Sequence, residues 1–260
     1  KSGKTEIHAK SQPLRKSNFI KNFCADIRVL ISGQKIMKKE IQELADAGVH
    51  FGYTKTRRHP STKPFIFDTK NNVDIIDIEQ TEELLKKASE FLATQGKENK
   101  VVLFVGTKAE AKEATRTGAD ALKMPYVTNR WIGGTLTNFT EIKRRVDILV
   151  DLKDKKAKGL LDKYTKKEQS DFGRQINKME GYFGGLIGMN KKPDAIFIID
   201  VKKEINAFKE ALQLKIPVIS ISNTDCDISE VEFPIVANDA SVSSLKFLTN
   251  KLVEAYQSAK

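Results

Sequence analysis

Cysteine, histidine and long apolar runs are scarce in this sequence of 260 residues. Its two cysteines, Cys24 and Cys226, stand alone, without a CxxC pair or a metal-type spacing. This pattern argues against a disulfide framework and fits a reducing compartment. Because no apolar run reaches the roughly 18 residues that a membrane-spanning helix needs, we expect no membrane partner.

The glycine patterns of nucleotide-binding enzymes are also missing. The run VVLFVG precedes a helical stretch, so Gly106 and Thr107 could meet a phosphate at a helix N-terminus. A dinucleotide fingerprint needs three glycines, however, and neither that pattern nor GxxxxGK[ST] occurs. There is no GxSxG serine, and Cys226 lies between Asp225 and Asp227, which disfavour its thiolate. We therefore expect no catalysis, no small-molecule substrate and no cofactor.

Positive charge, in contrast, is abundant and uneven. The chain has 45 Lys and Arg against 34 Asp and Glu, a formal net charge of +11, which favours a polyanionic partner. Residues 1–39 hold 10 basic and 2 acidic residues, and residues 138–192 hold 14 and 8. Residues 193–260 are acidic overall, with 7 basic and 10 acidic residues.

The basic N-terminal extension, residues 1–36, is rich in Lys and Ser and poor in acids. Two interpretations remain open: an organelle transit segment, or an extension ahead of a translation start at Met37. Under both, we expect this extension to lie outside the core.

Strand and helix patterns alternate along most of the chain. Short apolar runs rich in β-branched residues, such as VVLFVG, AIFIID and IPVISIS, are separated by stretches of helical periodicity. This order predicts an α/β fold with a doubly wound, mainly parallel sheet flanked by helices. We assign residues 37–136 and 189–260 to that domain and residues 137–188 to an insert.

The insert has the pattern of an antiparallel coiled-coil helical hairpin. Two sets of apolar residues have coiled-coil spacings of 3, 4, 3 and of 4, 3, 4: Phe139, Ile142, Val146, Leu149 and Phe172, Ile176, Met179, Phe183. Thr165 and Glu168 have the spacing of a capping box for the second helix. The other faces are rich in Lys and Arg, as either a solvated surface or an RNA-binding one.

A second basic stretch lies between Lys55 and Pro64. Lys55, Arg57, Arg58, His59 and Lys63 suit phosphate oxygens, and the nearby Phe51 and Tyr53 suit unstacked bases. The alternative is an exposed loop without a partner. Because its prolines stiffen the stretch, we favour a pre-formed binding surface.

Carboxylates gather at the predicted strand ends. Asp200, Asp225, Asp227 and Asp239 would share one edge of the sheet, and with His50 they could hold a structural Mg or Zn ion. The alternative, which we favour, is a set of turn and helix-cap aspartates.

Five blocks then give the chain a family resemblance: AGVHFGYTKTRRHPSTKPFIF, VVLFVGTKAEA, NRWIGGTLTNF, KKPDAIFIIDV and IPVISISNTDCD. In this order they resemble the bacterial-type ribosomal protein two family of the small subunit, from about Met37 to Tyr256. The chain departs from the usual pattern at Tyr53, at 58–62 and at Asp225, which weakens residue-level transfer there.

The resemblance implies an α/β domain with a helical hairpin and no catalytic activity. It implies binding to small-subunit rRNA and neighbouring small-subunit proteins, and help in seating ribosomal protein one of that subunit. It implies a bacterial cytoplasmic ribosome, or a mitochondrial or plastid one if the extension is a targeting segment. The residues that the resemblance implies to face rRNA are Arg130, Trp131, Asn138, Lys143 and Arg144. The charge pattern of the insert adds Lys166, Lys167, Arg174 and Lys178, beside the residues of the Lys55–Pro64 loop.

Within this set Trp131 has two possible uses. The pair Gly133-Gly134 is expected to bend the chain out of the sheet and into the insert at Asn138. The size of Trp131 favours a wedge at that junction over stacking on RNA.

Overall fold

The computed structural model describes residues 39–260. The predicted extension at residues 1–36, with Cys24, and the proposed start at Met37 lie outside the described residues. The chain forms two units, Lys1–Gln42 and Glu43–Lys260. Helix α1, Lys39–Asp46, spans their boundary. The other helices and strands of residues 39–260 belong to the second unit.

The larger sheet has five parallel strands. They are β4 Val102–Val105, β5 Tyr126–Val127, β6 Ala195–Ile199, β7 Val218–Ser222 and β8 Phe233–Val236, in the order β5-β4-β6-β7-β8. Every residue of β4, β6 and β7 is buried, as expected for parallel strands covered on both faces. The predicted α/β fold with a parallel sheet is confirmed.

A smaller antiparallel sheet precedes it. Its strands are β1 Phe51–Thr54, β2 Ile66–Lys70 and β3 Val73–Ile76, in the order β1-β3-β2. β2 and β3 form a hairpin whose two-residue turn, Asn71-Asn72, has φ values of 52° and 63°. Asn tolerates this left-handed conformation and is favoured in such turns. Between β1 and β2 the chain forms two 3-10 turns, Lys55–Arg57 and Pro60–Phe65.

Helices cover both faces of the larger sheet. After α1 they are α2 Ile78–Lys97, α3 Ala111–Leu122, α4 Phe139–Ala157, α5 Lys166–Phe183, α6 Ile205–Gln213 and α7 Val242–Ala259. On one face, α3 approaches Phe104 and α7 so closely that a Cβ on Gly118 would lie 2.7 Å from Thr249. On the other face, Phe208 of α6 packs in one cluster with Leu103 and Ile198. None of the helices in residues 39–260 is long and apolar enough to cross a membrane.

The predicted insert contains helices α4 and α5, joined by residues 158–165. The capping box is present, because Thr165 accepts from the Glu168 amide and the Glu168 side chain accepts from the Thr165 amide. Five of the predicted apolar positions are buried in one cluster: Ile142, Val146, Leu149, Ile176 and Phe183. Lys153 of α4 pairs with Glu180 of α5 at 2.6 Å. That cluster also includes sheet residues, so a separate coiled-coil insert at 137–188, distinct from the domain at 37–136 and 189–260, stays a prediction.

Candidate nucleic-acid interface

The Lys55–Pro64 loop is held against the segment that follows β7, mainly at Thr224. The amide of His59 and the hydroxyl of Thr62 both donate to the Thr224 carbonyl at 2.8 Å. The amide of Tyr53 donates to the Thr224 hydroxyl at 3.0 Å. These contacts across more than 160 residues of sequence fix the loop's backbone. The loop's backbone is therefore held in place by the protein itself, and its use as a binding surface stays a prediction.

The guanidinium of Arg58 is bound by other side chains of the protein. Its Nε donates to Oδ2 of the fully buried Asp74 at 2.8 Å, and its Nη2 donates to the Thr69 hydroxyl at 2.8 Å and to the other oxygen of Asp74. The hydrogen bond with Asp74 raises the pKa of Arg58. The charge of this guanidinium is thus neutralised in place, which separates Arg58 from the other cations of the loop.

The remaining cations of the loop differ in their freedom. Arg57 is exposed, yet it lies 3.5 Å from a carboxylate oxygen of Asp225 and 4.5 Å from the centre of the Tyr53 ring. Lys55 and Lys63 are exposed. Neither lysine has a carboxylate partner among residues 39–260. These two ammonium groups are the ones that the loop offers to an external anion.

The Trp131 segment is organised around a carboxylate, Glu210. Trp131 is only 7% exposed, and its Nε1 donates to Glu210 at 3.0 Å. The amides of Gly134 and Leu136 donate to the two oxygens of Glu210 at 2.8 and 3.0 Å. Gly134 has φ of +90°, a conformation that favours glycine. The indole therefore wedges the junction, and the expectation that Trp131 faces RNA is not met by its position.

Glu210 is the residue that sequence reasoning missed. It lies on α6, next to Ala211 of the buried cluster, and it also accepts from the amide and hydroxyl of Thr137 at 3.1 Å. Burial acts to raise its pKa, but the hydrogen bonds from Trp131 and the backbone amides outweigh burial and lower the pKa. The only sign of this role in the sequence is that an acidic residue occupies a core-facing position of a short helix.

The ends of this segment are open to solvent. Arg130 is exposed, with no carboxylate partner in the described part of the chain. Asn138 is also exposed and forms no side-chain cap for α4. Its amide donates to the Gly134 carbonyl at 2.8 Å, which links the buried bend to the start of the helix. Glu210 therefore sets the position from which both residues project.

Helix α5 has a basic stripe. Lys167, Arg174 and Lys178 are spaced by 7 and 4 residues, so they lie on one side of the helix. The buried Ile176 and Phe183 fall on the opposite side. Lys167 and Lys178 are exposed and lack a carboxylate partner within residues 39–260, whereas Arg174 pairs with Asp171 at 2.8 Å, three residues away.

Two further predicted cations belong to α4 and one to the start of α5. Lys143 is half-buried and Arg144 is exposed, with Arg144 lying 3.5 Å from Glu141 of the same helix. Lys166 is exposed at the first position of α5. Lys143 and Lys166 have no carboxylate partner in the part of the chain that the structure describes.

Two of the four strand-end carboxylates, Asp200 and Asp239, converge around an ammonium group. Lys108 Nζ lies 2.8 Å from Asp239, 3.5 Å from Asp200 and 3.0 Å from the Tyr53 hydroxyl. Burial opposes the charge on Lys108, but the hydrogen bonds to Asp239 and Tyr53 outweigh burial and raise its pKa. The cation held at this edge of the sheet is therefore the side chain of Lys108.

The residues predicted to bind a metal are not assembled as ligands. His50 is buried, with neither ring nitrogen hydrogen-bonded. Asp225 pairs with Lys202 at 3.0 Å, and Asp227 is exposed and accepts from the Ser229 amide. Asp200 contacts the Cys226 sulfur at 3.6 Å. Within residues 39–260, no three His, Cys, Asp or Glu residues form a group that could hold a metal ion.

The candidate enzyme groups are occupied by internal contacts. The Thr107 amide, at the turn after β4, donates at 3.1 Å to the buried carboxylate of Glu204. A negative group of the protein thus lies where a phosphate would meet this turn. Burial, with Asp200 nearby, raises the pKa of the Cys226 thiol to about 12, so this thiol stays protonated.

Comparison with known proteins finds relatives over most of the chain. The profile of a family described as "Ribosomal protein S2" matches residues 44–259. Two bacterial proteins, each named small ribosomal subunit protein uS2, are 41% identical. That of Coprothermobacter proteolyticus matches over 83% of this chain and 80% of its own length, and that of Dictyoglomus thermophilum over 85% and 89%. The small ribosomal subunit protein uS2c of Mesostigma viride is also 41% identical, over 83% of this chain and 94% of its own length.

Proposed function

The chain belongs to the ribosomal protein S2 family, and on that premise we propose that it binds small-subunit rRNA through unpaired cations on its surface. The family is structural and carries no catalysis, so the chain has a structural role in the small ribosomal subunit. Beyond this role, we propose which side chains bind the rRNA.

The observation that carries the proposal is the stripe on α5. Lys167 and Lys178 lie on the side opposite the buried residues, and they have no carboxylate partner among residues 39–260. Unpaired ammonium groups at helical spacing can neutralise successive phosphates without first breaking an internal ion pair. Lys166 at the start of α5 and Lys143 on α4 also lack a carboxylate partner among residues 39–260, whereas Arg144 of α4 pairs with Glu141 at 3.5 Å.

The loops add a second group of cations. Lys55 and Lys63 project from the loop that Thr224 fixes, and Arg130 projects from the segment that Glu210 fixes. A fixed backbone reduces the entropy lost when these side chains bind a phosphate. We leave Arg58 and Trp131 out of the RNA-binding surface, because their polar groups are bound inside the protein.

The binding mode follows from the type of side chain. Lysine ammonium groups act as point charges towards phosphate oxygens and carry little information on base sequence. Folded RNA is recognised largely by its shape and its backbone. We therefore propose that this chain recognises the shape of rRNA and that salt competes with its binding.

Protein partners suit another part of the chain. Residues 193–260 hold 10 acidic and 7 basic residues and so lack the excess of basic residues found in 138–192. We propose that neighbouring small-subunit proteins, and ribosomal protein one, contact surfaces of this acidic segment. The bacterial relatives indicate a cytoplasmic ribosome, and the relative from Mesostigma viride fits the organellar alternative.

Sedimentation tests the proposal directly. A lysate of cells that express the tagged chain is separated on a sucrose gradient, and each fraction is probed for the tag. We expect the chain in the fractions of the small subunit and to find rRNA crosslinked to it after ultraviolet irradiation. A chain that stays at the top of the gradient contradicts the ribosomal assignment, and a sedimenting chain without RNA crosslinks contradicts rRNA binding alone.

A further inference from the structure

Phe67 is a large aromatic side chain that the fold places in solvent. It is 66% exposed, and the next large apolar side chain on the surface of residues 39–260, Leu160, is 51% exposed. Most large apolar residues gain free energy from burial, so a highly exposed aromatic ring needs a reason.

A β-bulge accompanies this exposure. On β2, Ile66 pairs with Ile76 and Asp68 pairs with Ile75, so two steps along β2 match one step along β3. Phe67 is the extra residue between these pairs. A bulge disrupts the ladder locally and re-aims a side chain. The bulge lies on β2, an edge strand of the small sheet, where a ligand can approach.

The sequence around Phe67 is basic. Residues 55–70 hold five basic residues and one acidic one, Asp68. Lys63 is four residues before Phe67, so their Cα atoms are at most about 14 Å apart. Lys55 lies near the same sheet, because its amide donates to the Asn72 carbonyl, in the turn after β2, at 2.9 Å. Both lysines are exposed and without a carboxylate partner in the described chain.

We propose that Phe67 stacks on an unpaired base of RNA while Lys63 and Lys55 bind the flanking phosphates. This inference deepens the rRNA binding proposed above and rests on it. An aromatic ring beside free cations is the combination that binds single-stranded nucleic acid, since each base offers a π-face and each nucleotide a phosphate. The charge of this stretch favours RNA over a protein partner, because residues 55–70 hold five basic residues and one acidic one.

Replacement of Phe67 separates stacking from simple apolar contact. The full chain and the variants Phe67→Ala, Phe67→Leu and Phe67→Tyr are titrated with a single-stranded RNA of mixed sequence and with a duplex RNA of the same length. We expect Phe67→Ala and Phe67→Leu to weaken single-strand binding about tenfold. Phe67→Tyr should bind as the native chain does, and duplex binding should be unchanged for every variant.

Controls report on fold and on charge. Thermal unfolding should be alike for all variants, since the Phe67 ring is mostly in solvent. Val242→Ala, another exposed apolar position, should leave RNA binding unchanged. Lys63→Ala should make single-strand binding less sensitive to salt: the slope of the logarithm of the binding constant against the logarithm of salt concentration should become shallower by about one. Phe67→Ala should weaken binding and leave that slope unchanged.

Two outcomes overturn the inference. If Phe67→Ala binds single-stranded RNA as tightly as the native chain, Phe67 has no part in RNA binding. If Phe67→Leu retains native affinity while Phe67→Ala does not, the ring makes an apolar contact and does not stack. Both outcomes leave rRNA binding by α4 and α5 intact, because sedimentation and crosslinking test it separately.

Discussion

At the scale of single residues, burial decides the chemistry of several polar side chains. Arg58, Lys108 and Glu210 are each surrounded by groups of opposite charge or by donors that compensate for lost water. His50 differs from these three residues. It is 4% exposed, and neither of its ring nitrogens has a hydrogen-bond partner. A neutral imidazole tolerates such a site better than a charged one.

His50 should make the fold sensitive to mild acid. Burial lowers its pKa from 6.5 to about 4. Between these two values the unfolded chain binds a proton that the folded chain does not, so acid favours unfolding. We expect this residue to reduce the free energy of unfolding by about 3 kcal/mol from pH 7 to pH 4, and to have no such effect above pH 7.

Urea unfolding at pH 4.5, 5.5, 7 and 8 measures this dependence. His50→Phe keeps an aromatic ring in the site and removes the titrating group. Between pH 7 and pH 4.5, the free energy of unfolding should fall less in the variant than in the native chain. Protonation of carboxylates lowers that free energy equally in the two proteins, so the difference reports on His50. Parallel curves for the two proteins would show that His50 is not the cause.

Glu210 should stabilise the Trp131 segment as an ionised group. Glu210→Gln replaces one acceptor oxygen with an NH2 group, which would face the amide donors of Gly134 or Leu136. We expect a loss of about 1–3 kcal/mol in the free energy of unfolding. Because the pKa of Glu210 is lowered in the fold, its contribution is present above the unfolded pKa of about 4.3 and is lost as pH falls through the folded pKa.

Trp131 reports on this change, since it is the only tryptophan of the chain. In Glu210→Gln its fluorescence should shift to the red as the indole gains water, and urea unfolding should give the loss of stability. Glu254→Gln, at an exposed position of α7, serves as the control and should behave as the native chain. Native fluorescence and stability in Glu210→Gln would mean that the carboxylate is dispensable.

Local signals in the sequence indicate the wedge at Trp131 but not its partner. A single large aromatic followed by two glycines predicts a packed bend, and the structure places Trp131 in one. Glu210 is 79 residues away in sequence, and nothing in its local pattern connects it to that bend. The predicted metal ligands have the same difficulty, because Lys108, which pairs with Asp200 and Asp239, lies in the turn after β4.

At the scale of elements, periodicity carries most of the information. The apolar runs of β4, β6 and β7 and the apolar spacings of α4 and α5 each point to the structure that they form. Alternation of strand and helix predicts a parallel sheet. The order β5-β4-β6-β7-β8 and the β-bulge at Phe67 were beyond prediction, since both depend on pairing between distant residues.

The stripe on α5 gives a prediction at this scale. Lys167→Ala with Lys178→Ala removes two unpaired cations from one side of the helix. We expect weaker rRNA binding and a smaller dependence on salt, because each lysine that binds a phosphate releases about one counterion. The slope of the logarithm of the binding constant against the logarithm of salt concentration should become shallower by about two. Filter binding at several KCl concentrations measures both quantities.

Two other lysines provide a control that removes the same charge. Lys246→Ala with Lys251→Ala changes α7, where Lys246 pairs with Glu113 at 2.7 Å and Lys251 with Glu43 at 3.6 Å. This control should bind rRNA almost as the native chain does. Equal losses for the two double variants would mean that net charge, and not the stripe, determines affinity.

At the scale of the whole molecule, charge is divided along the chain. Residues 138–192 have an excess of basic residues, and residues 193–260 have an excess of acidic ones. Both segments belong to the unit Glu43–Lys260, so the proposed RNA-binding and protein-binding surfaces lie on one unit. This division could be read from sequence alone, but which cations are free of internal partners could not.

The free cations set the salt dependence of the complete chain. Seven of the proposed RNA-binding residues have no carboxylate partner among residues 39–260: Lys55, Lys63, Arg130, Lys143, Lys166, Lys167 and Lys178. If each neutralises one phosphate, the logarithm of the binding constant should fall with the logarithm of salt concentration with a slope of about −5 to −6. Filter binding of small-subunit rRNA from 50 to 400 mM KCl gives this slope. Thermal unfolding in the same buffers should change little, and a slope shallower than about −2 would show that most of these cations do not meet phosphate.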